Sequence, residues 1–331
     1  MGVSYGVWAA TLVVLTGMLL ADLIIIGRRP HEPSLRESTL WVTFYVSAAG
    51  LFGLFVWAAY GPVRAGEFYT GWLVEYSLSV DNLFVFMLIM SRFAVPRAYQ
   101  QKVLLIGIIL ALVLRGVFIA AGAVLVNRFV WIFFVFGAFL LYTAIRLVRQ
   151  RDEDPSEFRE NVLVRAGRRL LPMSRTYHGA RLLTVEDGRR VATPMLIVMI
   201  AIGTTDVVFA LDSIPAIFGV TREAYLVFTA NVFALMGLRQ LYFLIGGLVS
   251  RLVYLSTGLA VILGFIGVKM VLEALAENNL PFINGGEPVA WAPHVPIWLS
   301  LTVIVGVLVV TTAASLAKAA RVRRIASGGG H

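Results

Sequence analysis

Two apolar stretches of the chain carry the same device, a pair of acids six residues apart with a small oxygen-bearing side chain directly after the second. The first reads Glu75-Tyr-Ser-Leu-Ser-Val-Asp81-Asn82, and the second reads Asp206-Val-Val-Phe-Ala-Leu-Asp212-Ser213. Carboxylate, carbonyl and hydroxyl oxygens are what hard divalent cations such as Mn²⁺, Mg²⁺ and Ca²⁺ prefer, whereas Zn²⁺, Cu⁺ and Ni²⁺ favour sulfur and imidazole. The chain has no cysteine, and its four histidines, His31, His178, His294 and His331, fall outside the apolar stretches. With Asn231 from a third apolar stretch, the candidate metal ligands are Glu75, Asp81, Asn82, Asp206, Asp212, Ser213 and Asn231. A charge in the middle of a membrane helix costs roughly 2.5 to 3.5 kcal/mol or more, so four acids there require a partner or a task.

The elements that must position these residues are membrane helices. Of 331 residues, 59% are hydrophobic and only 14% charged, with a mean hydropathy of +0.84. A soluble globule cannot hide that much apolar surface. Nine segments are long enough to cross about 30 Å of hydrocarbon, near residues 7–27, 39–60, 67–91, 101–124, 129–149, 194–218, 222–248, 252–276 and 297–317. The fold class is all-α, a polytopic membrane protein.

Basic residues orient the bundle. With the amino terminus outside, 22 of the 28 Lys and Arg residues fall on the cytoplasmic side, three lie on the other face (Arg64, Arg128, Arg222) and three lie within spans (Arg115, Arg239, Lys269). Cytoplasmic loops accumulate such charges, so the opposite topology is rejected. The net charge of +9 is thus a topology signal, with attraction to anionic lipid headgroups as its by-product, and it does not point to nucleic acid. The first span reads as a retained helix rather than a cleaved leader, because its arginines follow it. Without cysteine, disulfides, thiolate metal ligands and thiol catalysis are excluded.

One long polar stretch, 150–192, separates two halves and reads as an Arg-rich cytoplasmic linker or a partner-binding surface, with a turn or short hairpin at Thr184-Val-Glu-Asp-Gly-Arg-Arg. The organisation is then two leading helices (1–60), a three-helix unit (61–149), the linker (150–192), a second three-helix unit (193–278), and an external loop, last helix and tail (279–331). The acid motifs fall on spans three and six, which run in opposite directions. Leu114-Arg115 and Leu238-Arg239 fall on the second helix of each unit. Together these features describe an inverted repeat with its site near the midplane.

At 100° per residue, positions seven apart share a helix face and positions six apart differ by about 120°. Glu75 shares a face with Asn82, and Asp206 with Ser213, while Asp81 and Asp212 point elsewhere unless a helix breaks. Pro215 offers such a break in span six. On this reading Asp81 and Asp212 are the central ligands, and Glu75 and Asp206 form a second site, a gate or a proton path. Exchange of protons for a cation on the same acids follows from carboxyl chemistry in a low dielectric. The competing reading pairs the acids with Arg115, Arg239 or Lys269 as structural bridges.

The stretches 75–86, 206–218, 231–243 and 265–270 closely resemble the TerC/Alx family of bacterial integral membrane proteins, and the similarity runs from span one to span nine. That family belongs with the LysE-like exporters. The resemblance implies Mn²⁺ efflux across the inner membrane, coupled to protons and not enzymatic, with Glu75, Asp81, Asp206 and Asp212 as its essential acids and no resident cofactor. One departure stands out. Some manganese-exporting relatives carry an acid three residues before the first Asp of the second motif, where this chain has Gly203. Thr204 and Thr205 offer hydroxyl oxygens nearby, although threonine in a membrane helix usually bonds its own backbone. Two other classes stay open, a scaffold for a stress-response complex working through the linker and a transporter of Ca²⁺ or another solute. An intramembrane hydrolase is disfavoured by the absence of a Gly-x-Gly-Asp motif or an intramembrane His.

Overall fold

The computed structural model describes residues 2–28, 34–149, 172–174, 176–179, 181–186, 188–245, 254–281 and 283–328. Residues 150–171 of the expected linker lie outside them. Among the described residues the elements are α1 (Tyr5–Arg28), α2 (Leu35–Tyr60), α3 (Pro62–Arg92), α4 (Arg97–Arg128), α5 (Ile132–Arg149), β1 (Leu183–Glu186), β2 (Arg189–Ala192), α6 (Pro194–Phe218), α7 (Ala224–Met236), α8 (Leu238–Ile245), α9 (Leu255–Ala276) and α10 (Ile297–Gly328). Among the described residues nine spans are long and apolar enough to cross a bilayer, with α7 and α8 together forming one of them. The chain is an all-α polytopic membrane protein.

Local sequence sets the helix starts. Ser34 caps α2, its Oγ accepting from the Glu37 amide at 3.2 Å. Pro62 and Pro194 open α3 and α6 where their missing N–H groups cost nothing. Gly61 takes φ +88° between α2 and α3, a turn that a side chain would strain.

The break expected at Pro215 is not there, since α6 runs unbroken from Pro194 to Phe218. Pro215 sits in the final turn, where only one hydrogen bond is lost and the helix then ends. The interruption falls instead in span seven, at Gly237. Its origin is visible in the chain: Ala111-Leu-Val-Leu-Arg115 in α4 has Ala234-Leu-Met-Gly-Leu-Arg239 as its counterpart, with one residue more. An inserted residue turns everything after it by about 100° around the axis. Arg239, just past the interruption, pairs with Asp22 of α1, whereas Arg115 turns to Glu75 and Asp206.

Two halves interlock. α3 packs on α7 and, correspondingly, α4 on α6, while α5 and α9 make the most extensive contact in the molecule. Exchanging α3 with α6, α4 with α7 and α5 with α9 leaves this pattern unchanged. The α5–α9 crossing is the closest, because a Cβ on either Gly137 or Gly267 would meet the other's carbonyl oxygen at 2.9 Å. By contrast α1, α2 and α10 bury little of themselves and face outward along most of their length.

α3 and α6 are antiparallel, and both ends record it. At one end Thr221 Oγ1, just past α6, donates to Glu67 Oε2 at 2.8 Å, and Arg64 Nη2 pairs with Glu223 at 3.2 Å. At the other end, Tyr177 Oη of the segment leading into α6 donates to the Phe93 carbonyl at 2.7 Å, just past α3. The expected hairpin is present there as an antiparallel pair with Glu186 opposite Arg189.

Candidate functional site

Three chains of contact meet in the middle of the bundle. Gly71 of α3 has Ile217 of α6 and Ala230 of α7 directly against it. One turn further along α3 stands Glu75, and one turn back along antiparallel α6 stands Ser213, with Asn231 next to Ala230. Glu75, Asn82, Asp206, Ser213 and Asn231 are all buried, as the seven-residue spacing requires of the first four.

From α4, Arg115 enters this level. Its Nη1 donates to Glu75 Oε2 at 2.6 Å, and its Nη2 lies 3.7 Å from Asp206 Oδ1. Both Arg115 and Glu75 are 0% exposed. Two carboxylates thus face one guanidinium, for a formal charge of −1. The pairing is also incomplete, since Glu75 Oε1, Asp206 Oδ2, and Arg115 Nε and Nη2 lack hydrogen-bond partners in the protein. So do Ser213 Oγ, Ser79 Oγ and Asn231 Nδ2. Buried polar atoms are normally satisfied, so such a concentration along the facing stretches of α3 and α6 marks the place as a candidate site.

Asp81 and Asp212 do not join this cluster. Ser256 Oγ of α9 donates to Asp81 Oδ1 at 3.3 Å, and Thr143 Oγ1 of α5 donates to Asp212 Oδ1 at 3.1 Å. The two partner helices are the third of each unit. Because α3 and α6 are antiparallel, six residues carry Asp81 toward the linker side and Asp212 toward the other, each by about 9 Å along its helix. In the register set by Glu67 opposite Thr221 and Gly71 opposite Ile217, Asp212 comes level with Glu75 and Asp81 with Asp206, so the acids stand on two levels, and at each level one acid turns to Arg115 and the other to a hydroxyl of α5 or α9. Among the described residues no three Asp, Glu or His groups converge closely enough to hold a metal ion.

The spans' other basic residues are engaged as well. Lys269 pairs with Glu273 at 3.6 Å, and Arg239 Nη2 with Asp22 Oδ1 at 2.8 Å. Asp22, in α1, was not singled out by spacing, yet a lone acid in an apolar helix was the signal that would have found it. Gly203 lies against α4, where a Cβ would come within 2.7 Å of Leu110 Cδ2. It faces an apolar groove of about 340 Å³ shared with Leu114, Met199 and Val207 rather than the charged cluster. Thr204 Oγ1 bonds the Ile200 carbonyl at 2.7 Å, as membrane threonines usually do.

An all-helical bundle of long apolar helices in which two interlocked units bury acids around a shared arginine is the architecture of a polytopic integral membrane protein. The chain belongs to the integral membrane protein TerC family, whose model matches residues 60–323. It is 50% identical over 318 residues to an uncharacterized membrane protein of Mycobacterium tuberculosis, covering 95% of this chain and 80% of that one. A membrane protein of Myxococcus xanthus is 40% identical, covering 95% and 93%. An Escherichia coli protein provisionally named membrane-bound redox modulator Alx is 39% identical, covering 92% of each chain. No solved structure matches the chain.

Proposed function

We propose that this protein exports a hard divalent cation, Mn²⁺, from the cytoplasm across the inner membrane, in exchange for protons. The observation that carries the reading is that Glu75 and Asp206, on antiparallel helices, share Arg115 between them, both buried and each with a carboxylate oxygen unused by the protein. The available donors are carboxylate, amide and hydroxyl oxygens, the set that Mn²⁺ takes in preference to Zn²⁺ or Cu⁺. Asp81 and Asp212, level with Asp206 and Glu75 respectively but turned to hydroxyls of α9 and α5, serve as further stations for the ion and protons. The orientation places the linker and carboxyl terminus in the cytoplasm, with the amino terminus outside and the basic linker against anionic headgroups.

The test is Mn²⁺ movement in proteoliposomes with and without an imposed pH gradient. Gradient-dependent flux in the wild type, lost in Asp81→Asn and Asp212→Asn, is the expected result. Silence with Mn²⁺, Ca²⁺, Mg²⁺ and Fe²⁺ alike in a folded sample would overturn it.

A second reading, a membrane scaffold for a stress complex acting through the linker, is favoured by the dispersal of the acids into separate contacts. It expects function to survive neutralisation of all four acids and to be lost when 150–171 is deleted. The redox role offered by the name of the E. coli relative cannot run through thiols in this chain, which has none. Control of metal supply is the route by which such a role would operate here.

A further inference from the structure

We propose that Arg115 is a tethered substitute cation: it occupies the carboxylates of Glu75 and Asp206 between transport events and must leave at least one of them for the substrate ion to bind. This inference rests on the reading of the chain as a divalent-cation transporter and adds how the charge of the empty site is partly covered.

The geometry sets Arg115 apart from a structural arginine. The other deeply placed arginine, Arg239, also makes a single bond and leaves Nη1 unused, but it faces one acid, Asp22, which accepts from it at 2.8 Å and from Gln240 at 3.3 Å. Arg115 makes one short bond to Glu75 and stands beyond hydrogen-bond distance of Asp206, leaving Nε and Nη2 unused beside two unused carboxylate oxygens. A guanidinium can fork onto a carboxylate with two parallel bonds, and here it does not. It is placed between two acids rather than locked onto either.

Charge then makes the two cations exclusive. With Arg115 alone the trio carries −1, and with a dication added beside it +1. Only when the dication replaces the guanidinium is the site neutral. In a buried layer, like charges a few ångströms apart repel strongly, so the arriving ion displaces the tethered one and its departure draws Arg115 back. While the protein reorients empty, Arg115 covers one of the two negative charges and a single proton suffices for the other. Arg239, held by Asp22, does not take this part.

The test is Mn²⁺ binding to the full-length protein in nanodiscs, followed by loss of the free-Mn²⁺ electron paramagnetic resonance signal, together with proteoliposome flux. Arg115→Gln removes the competitor and is expected to bind Mn²⁺ at least about tenfold more tightly while flux falls by at least about tenfold. Arg115→Lys keeps the charge without a second arm to reach Asp206. It is expected to tighten binding by about threefold, and it serves where the glutamine variant fails to fold. Added guanidinium ion is expected to weaken Mn²⁺ binding to Arg115→Ala and not to the wild type. Unchanged or weaker binding in folded variants overturns the substitute-cation role and leaves the transporter reading standing, provided the wild type still binds and moves Mn²⁺. A wild type that neither binds nor moves Mn²⁺ overturns both.

Discussion

Arg239 Nη2 and Asp22 Oδ1, 217 positions apart in the chain, are 2.8 Å apart in the fold. This contact fastens α1 to the short helix α8 just past the interruption at Gly237. α1 otherwise makes little contact with the bundle, and it lies before residue 60, where the match to the TerC family model begins. Removing one member of a buried ion pair strands the other charge and typically costs about 3 to 5 kcal/mol. Asp22→Ala is expected to lower stability by about that amount, measured by thermal unfolding in detergent. Asp22→Ala with Arg239→Met should recover much of the loss, and a double variant as unstable as the sum of the two singles would show that the pair is not coupled.

The central acids are not equivalent. Glu75 holds the 2.6 Å bond from Arg115, while Asp206 stands 3.7 Å from it. Glu75→Gln is therefore expected to cost about 3 kcal/mol of stability, and Asp206→Asn, which leaves the short pair intact, about 1 kcal/mol. Both should reduce Mn²⁺ flux by at least about tenfold. Comparing unfolding midpoints with flux for the two variants separates the structural part of each acid from its part in binding. Equal midpoints would show that Arg115 is shared evenly.

Much of this arrangement could be read from the chain. The spans follow from hydropathy, and the burial of Glu75, Asn82, Asp206 and Ser213 follows from a seven-residue period on helices. What could not be read is pairing between helices far apart in sequence. Asp22 and Arg239 share no spacing rule, and the assignment of Arg115 to both Glu75 and Asp206 depends on how α3, α4 and α6 approach one another. The position of the helix break was misjudged because proline is the stronger local signal. A one-residue insertion ending in Gly237 shows only when the two units are compared. Nor does a sequence reveal that the two antiparallel motifs lie opposite each other, with Asp81 and Asp212 turned to different third helices, which is why they reach different hydroxyl partners.

The Gly137–Gly267 crossing predicts a sharp steric asymmetry. At Gly267 a Cβ would stand 2.9 Å from the Gly137 carbonyl oxygen, and backbone cannot turn aside. At Gly306 in α10 nothing lies within 4 Å of an added Cβ. Gly267→Ala is expected to destabilise by about 1 to 3 kcal/mol through overpacking. Gly306→Ala is expected to be neutral or stabilising by up to about 1 kcal/mol through helix propensity. Unfolding midpoints of the two variants, measured side by side, check this, and equal midpoints would mean that the α5–α9 contact yields without cost.

The hairpin before α6 carries its own acid dependence. Ser174 and, next, His178 hydrogen-bond to Glu186 and hold its carboxyl below the usual carboxylate range. His178 Nε2 lies 3.0 Å from Glu186 Oε1, and Glu186 faces Arg189 across the hairpin. An acid whose affinity for protons is lowered by folding contributes stability that is fully present above its unfolded value, about 4.3. That contribution is lost as pH falls through the lower folded value. Backbone protection of residues 183–192 against hydrogen exchange should thus be unaffected by Glu186 chemistry near neutrality and fall as the medium is acidified below about pH 4. In Glu186→Gln that acid limb should disappear, because a glutamine has no proton to gain. A hairpin that loosens identically in both proteins on acidification would place its pH response in another group and leave Glu186 as a neutral hydrogen-bond acceptor.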